Sequence, residues 1–560
     1  MGRLSRRAFL GATAASGAIL LADRVGSLAD AASPASASWL DASITQLQSL
    51  MSSRQITSRE LTRAYLGRIA ELNPLLHAVI ETNREALQIA GQRDDERRAG
   101  QVRGPLHGVP ILLKDNIATA DGMQTTAGSL ALVGSRVPAD AVVAARLRAA
   151  GAILLGKTNL SEWANFRGYA PFNGWSARGG FTRNPYRLDL DPCGSSSGSG
   201  VSPAANFAAA AIGTETDGSV LCPAGENHIV GLKPTLGLVS QKGIIPIAHS
   251  QDTAGPMARN VRDVAILLNA MRSPFGEVPG DSSGQHDGKA RGELPEDYTA
   301  FVRPGALRGA RIGVDVRWRT GDFGPGDPGI SAVFDAALAA MRHAGATVID
   351  VDTGDPLGYF DDELTVLLYE IKADMAAYLA PLRNTRMRTL ADLIAFNRAH
   401  CEEEMKYFGQ EWFEQAELTP GLRDPLYLAA RANCLRKTRA LGIDRVLEQD
   451  HVDAIVAPTY SYATAPAAVA GYPSISVPFS LTTAGRPAGV WMYAGFLQEP
   501  KLLALAYALE QVRPPRVSPN FAGTVPPEPA DAGICASLGA AAPLAPRSAP
   551  ATRSVRPRMG

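Results

Sequence analysis

The sequence predicts an α/β protein in which helices cover a β-sheet. Short apolar runs, such as those at 109–113 and 152–155, alternate along the chain with segments of helical periodicity. This alternation is typical of buried strands that are connected by helices. The composition is that of a globular protein, because 46% of the 560 residues are hydrophobic and 20% are charged. A chain of this length can bury a large core as one long unit or as several.

The first half of the chain shows the alternation most clearly. Residues 57–60 read Thr-Ser-Arg-Glu, a capping box that opens a helix. Residues 108–116 form an apolar run that ends in a polar turn, which predicts a buried strand with Lys114 at its tip. Residues 139–150 have a helical pattern closed by a glycine, and 152–155 predict a second buried strand.

The second half predicts a helical insertion before the sheet resumes. Residues 276–305 are rich in Gly, Pro, Asp and Ser and predict a long surface connection. A helical pattern dominates from about 330 to 450, and apolar strand patterns return at 454–458 and 474–478. From residue 526 to 560 the chain is an Ala/Pro/Arg tail, for which we expect disorder. A single domain is therefore expected over residues 38–525.

The N-terminus has the pattern of an export signal. Ser5 to Leu10 contains an arginine pair and precedes a mildly hydrophobic stretch that ends near Ala22. Small-residue cleavage sites follow at 29–31 and 35–37. This pattern resembles a twin-arginine signal over residues 1–37 and predicts a periplasmic or secreted protein; a chance arginine pair in a frayed terminus is the alternative. No run of eighteen apolar residues occurs, so we expect no stable membrane association after signal removal.

Charge, cysteines and ligand motifs exclude several classes. The 55 basic and 55 acidic residues balance, so nucleic acid is not an expected partner. Five cysteines are few and odd in number, which does not indicate a disulfide framework, although Cys193 and Cys222 could lie near each other in the core. The chain has no H-E-x-x-H and no C-x-x-C motif, so no metal and no cofactor are predicted.

Two glycine motifs match known patterns by letter but not by context. Residues 151–158, Gly-Ala-Ile-Leu-Leu-Gly-Lys-Thr, match the P-loop, yet the positions that should form a flexible phosphate cradle are the apolar strand itself. Residues 194–198 match the nucleophile elbow G-x-S-x-G, but the preceding segment is polar and interrupted by proline. Neither nucleotide binding nor an α/β-hydrolase elbow is therefore favoured.

The segment from Cys193 to Gly237 has the composition of a catalytic site. It combines two loops rich in Gly and Ser, which allow close backbone approach and supply nucleophilic hydroxyl groups. A serine needs a group that accepts its proton, and a lysine can do so if burial lowers its pKa toward neutrality. Lys114 is placed suitably at the end of an apolar strand, where a purely structural lysine is the alternative.

These residues resemble the amidase signature family. Three pieces match: Lys114 in Val-Pro-Ile-Leu-Leu-Lys-Asp-Asn, the step Gly194-Ser195-Ser196, and Gly213 to Ser219 followed by Gly-Leu-Lys-Pro-Thr. The resemblance covers about residues 40–525, and the spacing between Ser195 and Ser219 is the one that the family uses. It implies a large, mainly parallel, mixed and twisted sheet with helices on both faces.

The resemblance also implies the roles of individual residues. Ser219 would be the nucleophile, Ser195 would relay its proton, and Lys114 would be the base. Gly194 and Ser195 would be joined by a cis peptide bond. The oxyanion hole would be formed by backbone N–H groups of one loop: Thr216, Asp217, Gly218 and Ser219.

Departures from the family pattern leave the substrate open. Most members have glycine where Asp217 stands and aspartate where Glu215 stands. A carboxylate would oppose an oxyanion, so we expect the Asp217 side chain to turn away or to be hydrogen bonded. Residues 225–228, Gly-Glu-Asn-His, are unusual in a region that is normally small and apolar, and 458–467 is shorter than in peptide amidases.

The predicted function is an amidohydrolase that releases ammonia or an amine, with peptide C-terminal amides as the leading substrates and other small amides next. One alternative is the glutaminase-type subunit of a tRNA-dependent amidotransferase, against which the export signal argues. Another is an amidase-like protein that binds a ligand without turnover. The sequence leaves the oligomeric state undetermined.

Overall fold

The central feature of the fold is a sheet of eleven strands. A computed structural model describes residues 39–272, 294–319 and 323–540 of the chain. Within these residues the strands are β1 (Val79–Thr82), β2 (Pro110–Lys114), β3 (Ile153–Thr158), β4 (Trp175–Ser176), β5 (Gly180–Phe181), β6 (Ala210–Glu215), β7 (Val230–Lys233), β8 (Thr253–Ala258), β9 (Arg311–Asp315), β10 (Thr347–Val351), β11 (Ala454–Pro458), β12 (Ser474–Leu481) and β13 (Pro487–Tyr493).

Helices connect these strands. In the same described ranges they are α1 (Ile44–Ser52), α2 (Ser58–Leu76), α3 (Ala86–Arg98), α4 (Val142–Ala149), α5 (Ser197–Ala204), α6 (Leu221–Glu226), α7 (Val261–Met271), α8 (Val316–Arg319), α9 (Pro328–His343), α10 (Phe360–Leu379), α11 (Leu390–Ala399), α12 (Cys401–Glu404), α13 (Glu411–Glu417), α14 (Pro425–Thr438), α15 (Asp444–Gln449), α16 (Ala465–Ala470), α17 (Glu499–Val512) and α18 (Ile534–Ala540). No helix among the described residues has both the length and the apolar character needed to cross a membrane.

The large sheet contains eleven of these thirteen strands, in the order β1-β3-β2-β6-β8-β7-β12-β13-β11-β9-β10, and β4 pairs with β5 in a separate two-stranded sheet. Parallel pairing joins β3, β2 and β6 on one side and β11, β9 and β10 on the other. The strands between these two groups pair antiparallel, as does the edge strand β1. The mixed α/β sheet is therefore confirmed; four of its ten strand pairings in the described ranges are parallel, and these lie in the two flanking groups.

Helices cover both faces of the sheet. Every residue of β2, β3 and β6 is buried, and successive residues of a strand point to opposite faces.

The local predictions agree with this arrangement. The capping box at the start of α2 is present, with the Glu60 amide 3.1 Å from Thr57 Oγ1. The P-loop-like segment is strand β3 itself.

Helices dominate the region of the expected insertion, which also contributes one strand to the sheet. Helices α9 to α15 span it, and β10 lies between two of them and pairs in parallel with β9 at the sheet edge. A helical pattern does not reveal this strand, because most of its five residues are partly or fully exposed at the edge. The compact unit that contains the sheet begins at Ser43.

The predictions about the tail and the cysteines are corrected. Residues 526–540 are ordered rather than disordered, because they include α18 and because Cys535 forms a disulfide with Cys401. A second disulfide joins Cys193 to Cys222, so the expectation of no disulfide framework is wrong. An odd number of cysteines does not exclude disulfides, because Cys434 remains as a free, buried thiol beside the two bonded pairs. The predicted export signal, residues 273–293 of the predicted surface connection and the tail beyond 540 lie outside the described residues.

Candidate active site

Lys114 is the last residue of β2, and its side chain is fully buried. Its Nζ lies 2.7 Å from Ser195 Oγ, 2.9 Å from Thr214 Oγ1 and 3.2 Å from the Thr214 carbonyl oxygen. Burial lowers the pKa of Lys114 to about 7, although the negative charges of Asp252 and Glu215 act in the opposite direction. A large fraction of this lysine is therefore neutral at physiological pH.

The three contacts of Lys114 match the hydrogen-bonding capacity of a neutral amine. Such an amine has two N–H donors, which Thr214 can accept through its hydroxyl and its carbonyl oxygen. Its lone pair is then free to accept the proton of Ser195 Oγ. Asn116 Nδ2 also donates to Thr214 Oγ1, at 2.9 Å, and so fixes the threonine that orients the lysine.

Ser195 precedes helix α5 and is held by backbone contacts. It is fully buried, and a cis peptide bond joins it to Gly194, as the resemblance implied. Its carbonyl oxygen accepts from the Ser161 amide at 3.0 Å. A Cβ at position 194 would collide with Ser161 Oγ, so the close approach of these two segments requires glycine there.

Ser219 lies in the short loop between β6 and α6, beside the Ser195 segment. Its carbonyl oxygen accepts from the Ser196 amide at 3.2 Å, and the residue is 8% exposed. Gly218, with φ of +75°, makes the turn immediately before it. Below the loop, one carboxylate oxygen of Glu215 accepts the Val220 and Leu221 amides at 2.7 and 2.9 Å. The glutamate at 215 therefore fastens the start of α6.

A disulfide links the two serine loops. Cys193 directly precedes Gly194, Cys222 lies in α6 three residues after Ser219, and their sulfur atoms are bonded. Both cysteines line the same cavity as the two loops. The cross-link therefore fixes the segment of Ser195 relative to the segment of Ser219.

The loop before Ser219 opens into a cavity of about 240 Å³. Its floor includes Gly194 and Ser219, and its walls are largely apolar and aromatic. The aromatic wall residues are Phe166, Tyr169, Phe323, Phe360, Trp412 and Tyr462. Trp412 stacks on Phe166 with ring centroids 6.1 Å apart. A cavity of this shape suits a substrate with an apolar or aromatic group near the reacting carbonyl.

Asp217 does not turn away from the cavity but lines it. Its side chain is hydrogen bonded to Thr464, while its buried Oδ1 has no hydrogen-bond partner among the described residues. Burial, together with the negative charge of Glu363, raises the pKa of Asp217 well above its usual value. Of the two expected outcomes only the hydrogen bond is found.

The unusual segment at 225–228 lies in the core behind the site. His228 is fully buried, its ring lies 5.5 Å from that of Tyr186, and burial lowers the pKa of His228 to about 3. Burial also raises the pKa of Glu226 well above its usual value. Burial therefore favours the neutral form of both groups, which is how a polar segment can occupy this position.

One cluster of potential metal ligands lies near the site in the described part of the chain and is already engaged by protein groups. His249 Nδ1 lies 2.9 Å from Asp374 Oδ2, and the Tyr427 hydroxyl and the Ser250 amide donate to Glu370 at 2.8 and 2.9 Å. The other grouping contains Cys193 and Cys222, whose sulfur atoms the disulfide occupies.

The structure thus brings the sequence-predicted Lys114, Ser195 and Ser219 segments to one place. Sequence reasoning missed three features of the site. They are Thr214, which orients the lysine, the carboxyl group of Glu363, and the disulfide. Thr214 and Asn116 could have been found, because both stand within the motifs that were quoted for Lys114 and Ser219. Glu363 carries no such signal, since it comes from the variable insertion.

A buried lysine in contact with a buried serine, next to a second serine that lines a cavity, makes up the parts of a serine hydrolase that uses lysine. The comparisons with known proteins agree. Residues 60–464 match the family model described as Amidase. The chain belongs to the amidase family and is a hydrolase that acts on amides.

Three relatives illustrate the similarity. The crystal structure of native peptide amidase from Stenotrophomonas maltophilia is 47% identical, with a TM-score of 0.80, over 86% of this chain and 99% of that chain. A probable amidase of Arabidopsis thaliana is 40% identical over 86% of this chain and 92% of its own length. A glutamyl-tRNA(Gln) amidotransferase subunit of Thermosynechococcus vestitus is 33% identical over 84% of this chain and 98% of its own length.

Proposed function

We propose that the protein hydrolyses carboxamides through an acyl-enzyme on Ser219, with peptide C-terminal amides as its leading substrates. The observation that carries the proposal is the 2.7 Å contact between Lys114 Nζ and Ser195 Oγ beside the cavity that Ser219 lines. The peptide preference is supported by the similarity to the peptide amidase and by the aromatic wall of the cavity.

In the proposed acylation, Ser219 Oγ attacks the amide carbonyl carbon. Its proton passes to Ser195 Oγ, and the proton of Ser195 passes to the neutral Lys114 Nζ. Backbone N–H groups of Thr216, Asp217, Gly218 and Ser219 stabilise the oxyanion, where one donor is typically worth about 3–4 kcal/mol. Collapse of the intermediate returns a proton through Ser195 to the leaving nitrogen, and ammonia departs.

Deacylation uses the same groups in the same order. Water attacks the ester on Ser219 and gives its proton through Ser195 to Lys114. The ester bond breaks, the acid product forms, and Ser219 Oγ regains a proton. The site needs no other titratable group for these steps.

Ammonia release from a panel of amides tests this function. The panel contains peptide amides, phenylacetamide, aliphatic amides, and free asparagine and glutamine. We expect the wild-type protein to release ammonia from peptide amides and the Ser219→Ala variant to release none. Release from phenylacetamide alone would contradict the peptide preference, and full activity of Ser219→Ala would contradict the mechanism.

A glutaminase-type role in an amidotransferase is the second candidate, favoured by the 33% identity to the Thermosynechococcus vestitus protein over 98% of that protein's length. It predicts glutaminase activity that depends on partner proteins. Ammonia release from glutamine that rises when amidotransferase partner subunits are added to the panel would support it against the first proposal.

We also propose export by the twin-arginine route to the periplasm or beyond. The arginine pair at Arg6 and Arg7 supports this, and so do the two disulfides, which persist in oxidising compartments. Cell fractionation tests it: Arg6→Lys combined with Arg7→Lys should retain the protein in the cytoplasm, and unchanged export would contradict the proposal.

A further inference from the structure

Three acidic residues in the described part of the chain line the substrate cavity, and two of them, Asp217 and Glu363, interact there, whereas Asp361 is exposed. Asp217 lies in the loop that leads into Ser219, and Glu363 lies in the first turn of α10. Glu363 is 8% exposed, and its charge is the largest electrostatic influence that raises the pKa of Asp217. Two carboxyl groups that interact in a buried site do not both ionise readily.

Among the described residues, the hydrogen bonds of the pair leave one buried carboxyl oxygen without a partner. Gln251 Nε2 donates to Glu363 Oε1 at 2.9 Å and also lies 3.4 Å from the Thr216 carbonyl oxygen. Gln251 therefore ties Glu363 to the loop of Ser219. Thr464 bonds to Asp217, whose buried Oδ1 lacks a partner among the described residues. A buried acceptor without a partner requires a donor, and a substrate can supply one.

The ionisation of the pair gives the cavity wall a negative charge. Burial raises the pKa of Glu363 to about 7 and that of Asp217 well above its usual value. Each group therefore hinders the ionisation of the other, and any negative charge that the pair carries lies on the cavity wall. A carboxamide offers N–H donors and no charge, whereas the acid product offers a carboxylate, which such a wall repels.

We propose that Asp217 and Glu363 form a specificity pair that accepts an N–H of the substrate and excludes carboxylates from the cavity. This inference rests on the proposed hydrolysis of carboxamides and deepens it. It explains how an oxyanion loop tolerates an aspartate: the carboxyl group contacts the substrate's N–H side rather than the oxyanion. It also predicts weak inhibition by the acid product.

The test compares binding of an amide and of the corresponding acid. The Ser219→Ala variant prevents turnover, and calorimetry gives Kd values for N-acetyl-Ala-Phe-amide and N-acetyl-Ala-Phe, and for phenylacetamide and phenylacetate. We expect each amide to bind more tightly than its acid. Adding Glu363→Gln should reduce that preference by about tenfold, chiefly by tightening acid binding. Adding Asp217→Asn should act in the same direction.

Asp362→Asn is the matched control. It removes one carboxylate from the adjacent position of α10, where Asp362 contacts Asn433 instead of the cavity, and should leave the preference unchanged. Circular dichroism checks that each variant is folded. An unchanged preference in both Glu363→Gln and Asp217→Asn, or an equal change in the control, would overturn the inference.

Wild-type kinetics separate this inference from the function that it rests on. If the enzyme releases ammonia from phenylacetamide but not from the peptide amide, the peptide preference fails. The inference is then still decided by comparing the Kd values of phenylacetamide and phenylacetate. If no amide is hydrolysed and no amide binds more tightly than its acid, both proposals are overturned.

Discussion

Three lysines among the described residues are fully buried in this fold, and the atoms that they contact distinguish one from another: Lys114, Lys157 and Lys233. Burial lowers the pKa of Lys114 to about 7 and those of Lys157 and Lys233 to about 8. Lys157 donates to the Ile117 carbonyl oxygen at 2.6 Å, and Lys233 donates to the Tyr472 carbonyl oxygen at 2.6 Å. Lys114 contacts the serine hydroxyl instead. A lowered pKa alone therefore does not distinguish Lys114, the proposed base, from the other two lysines, whereas its partner atom does.

The pH dependence of kcat/KM follows from Lys114. Its amine accepts a proton only when neutral, so activity requires a pH above its pKa of about 7. Below that pH we expect kcat/KM to fall by about tenfold per unit. Asp252 raises the pKa of Lys114 while it is ionised, but burial raises the pKa of Asp252 itself to about 7, so Asp252→Asn should move the midpoint only slightly to lower pH. A rate that is constant from pH 5 to about 8, or a midpoint that moves upward in that variant, would contradict the role of Lys114.

At the scale of elements, the disulfide between Cys193 and Cys222 joins a loop to a helix across the cavity floor. The Ser195 segment precedes α5, and the Ser219 loop precedes α6. A backbone hydrogen bond from the Ser196 amide to the Ser219 carbonyl oxygen also joins these segments. The covalent link between residues 29 positions apart in sequence therefore adds a strong restraint on the distance between the two serines.

Removing this disulfide should reduce catalysis more than removing the other one. We expect Cys193→Ser with Cys222→Ser to lower kcat/KM by about ten- to a hundredfold, because a small displacement of reacting groups is costly. The other disulfide lies away from the cavity and closes a larger loop, since its cysteines are 134 positions apart in sequence. Removing it with Cys401→Ser and Cys535→Ser should therefore lower Tm while leaving kcat/KM unchanged. Equal kcat/KM in both double variants would contradict the positioning role.

The elements that sequence predicted are those whose signals are local. The capping box at Thr57 and the apolar run before Lys114 depend on neighbouring residues, and both are found. The Cys193–Cys222 and Cys401–Cys535 pairs depend on which distant segments meet, so no local pattern indicates them. The order of the tail up to residue 540 follows from the second disulfide and was missed for the same reason.

At the scale of the whole molecule, a buried ion cluster connects the cavity wall to the helical insertion. Arg167 is fully buried and pairs with Glu162, and its Nη1 lies 3.6 Å from Glu404 Oε2. Arg167 also donates to the carbonyl oxygens of Phe408 and Gly409 at 3.1 and 3.2 Å. Segments on both sides of this cluster, at Phe166 and Trp412, line the cavity.

Truncating Arg167 should therefore destabilise the protein strongly. Arg167→Met leaves two buried carboxyl groups without their cation, which typically costs about 3–5 kcal/mol of the free energy of unfolding. Arg398→Met is the control, because its pair with Glu414 is largely exposed and should contribute little. Urea denaturation measures both, and similar stability losses in the two variants would show that the cluster does not hold the insertion.

The fold class and the Lys114, Ser195 and Ser219 segments could be predicted from sequence because motif letters and hydrophobic runs specify them. Glu363 and Arg167 could not be, because their roles arise only when the insertion packs against the sheet. Asp217 was recognised as unusual, but burial and its neighbour Glu363 determine its ionisation. The substrate preference therefore lies in tertiary contacts rather than in the motif.

Ser219 is the proposed nucleophile of acylation and carries the acyl group until deacylation, and covalent labelling tests this role directly. The protein is treated with a fluorophosphonate, digested, and mapped by mass spectrometry, with ammonia release followed in parallel. We predict one adduct, on the peptide that contains Ser219, with complete loss of activity and no adduct in Ser219→Ala. An adduct on a different serine, together with retained ammonia release in Ser219→Ala, would contradict the assignment of Ser219 as the nucleophile.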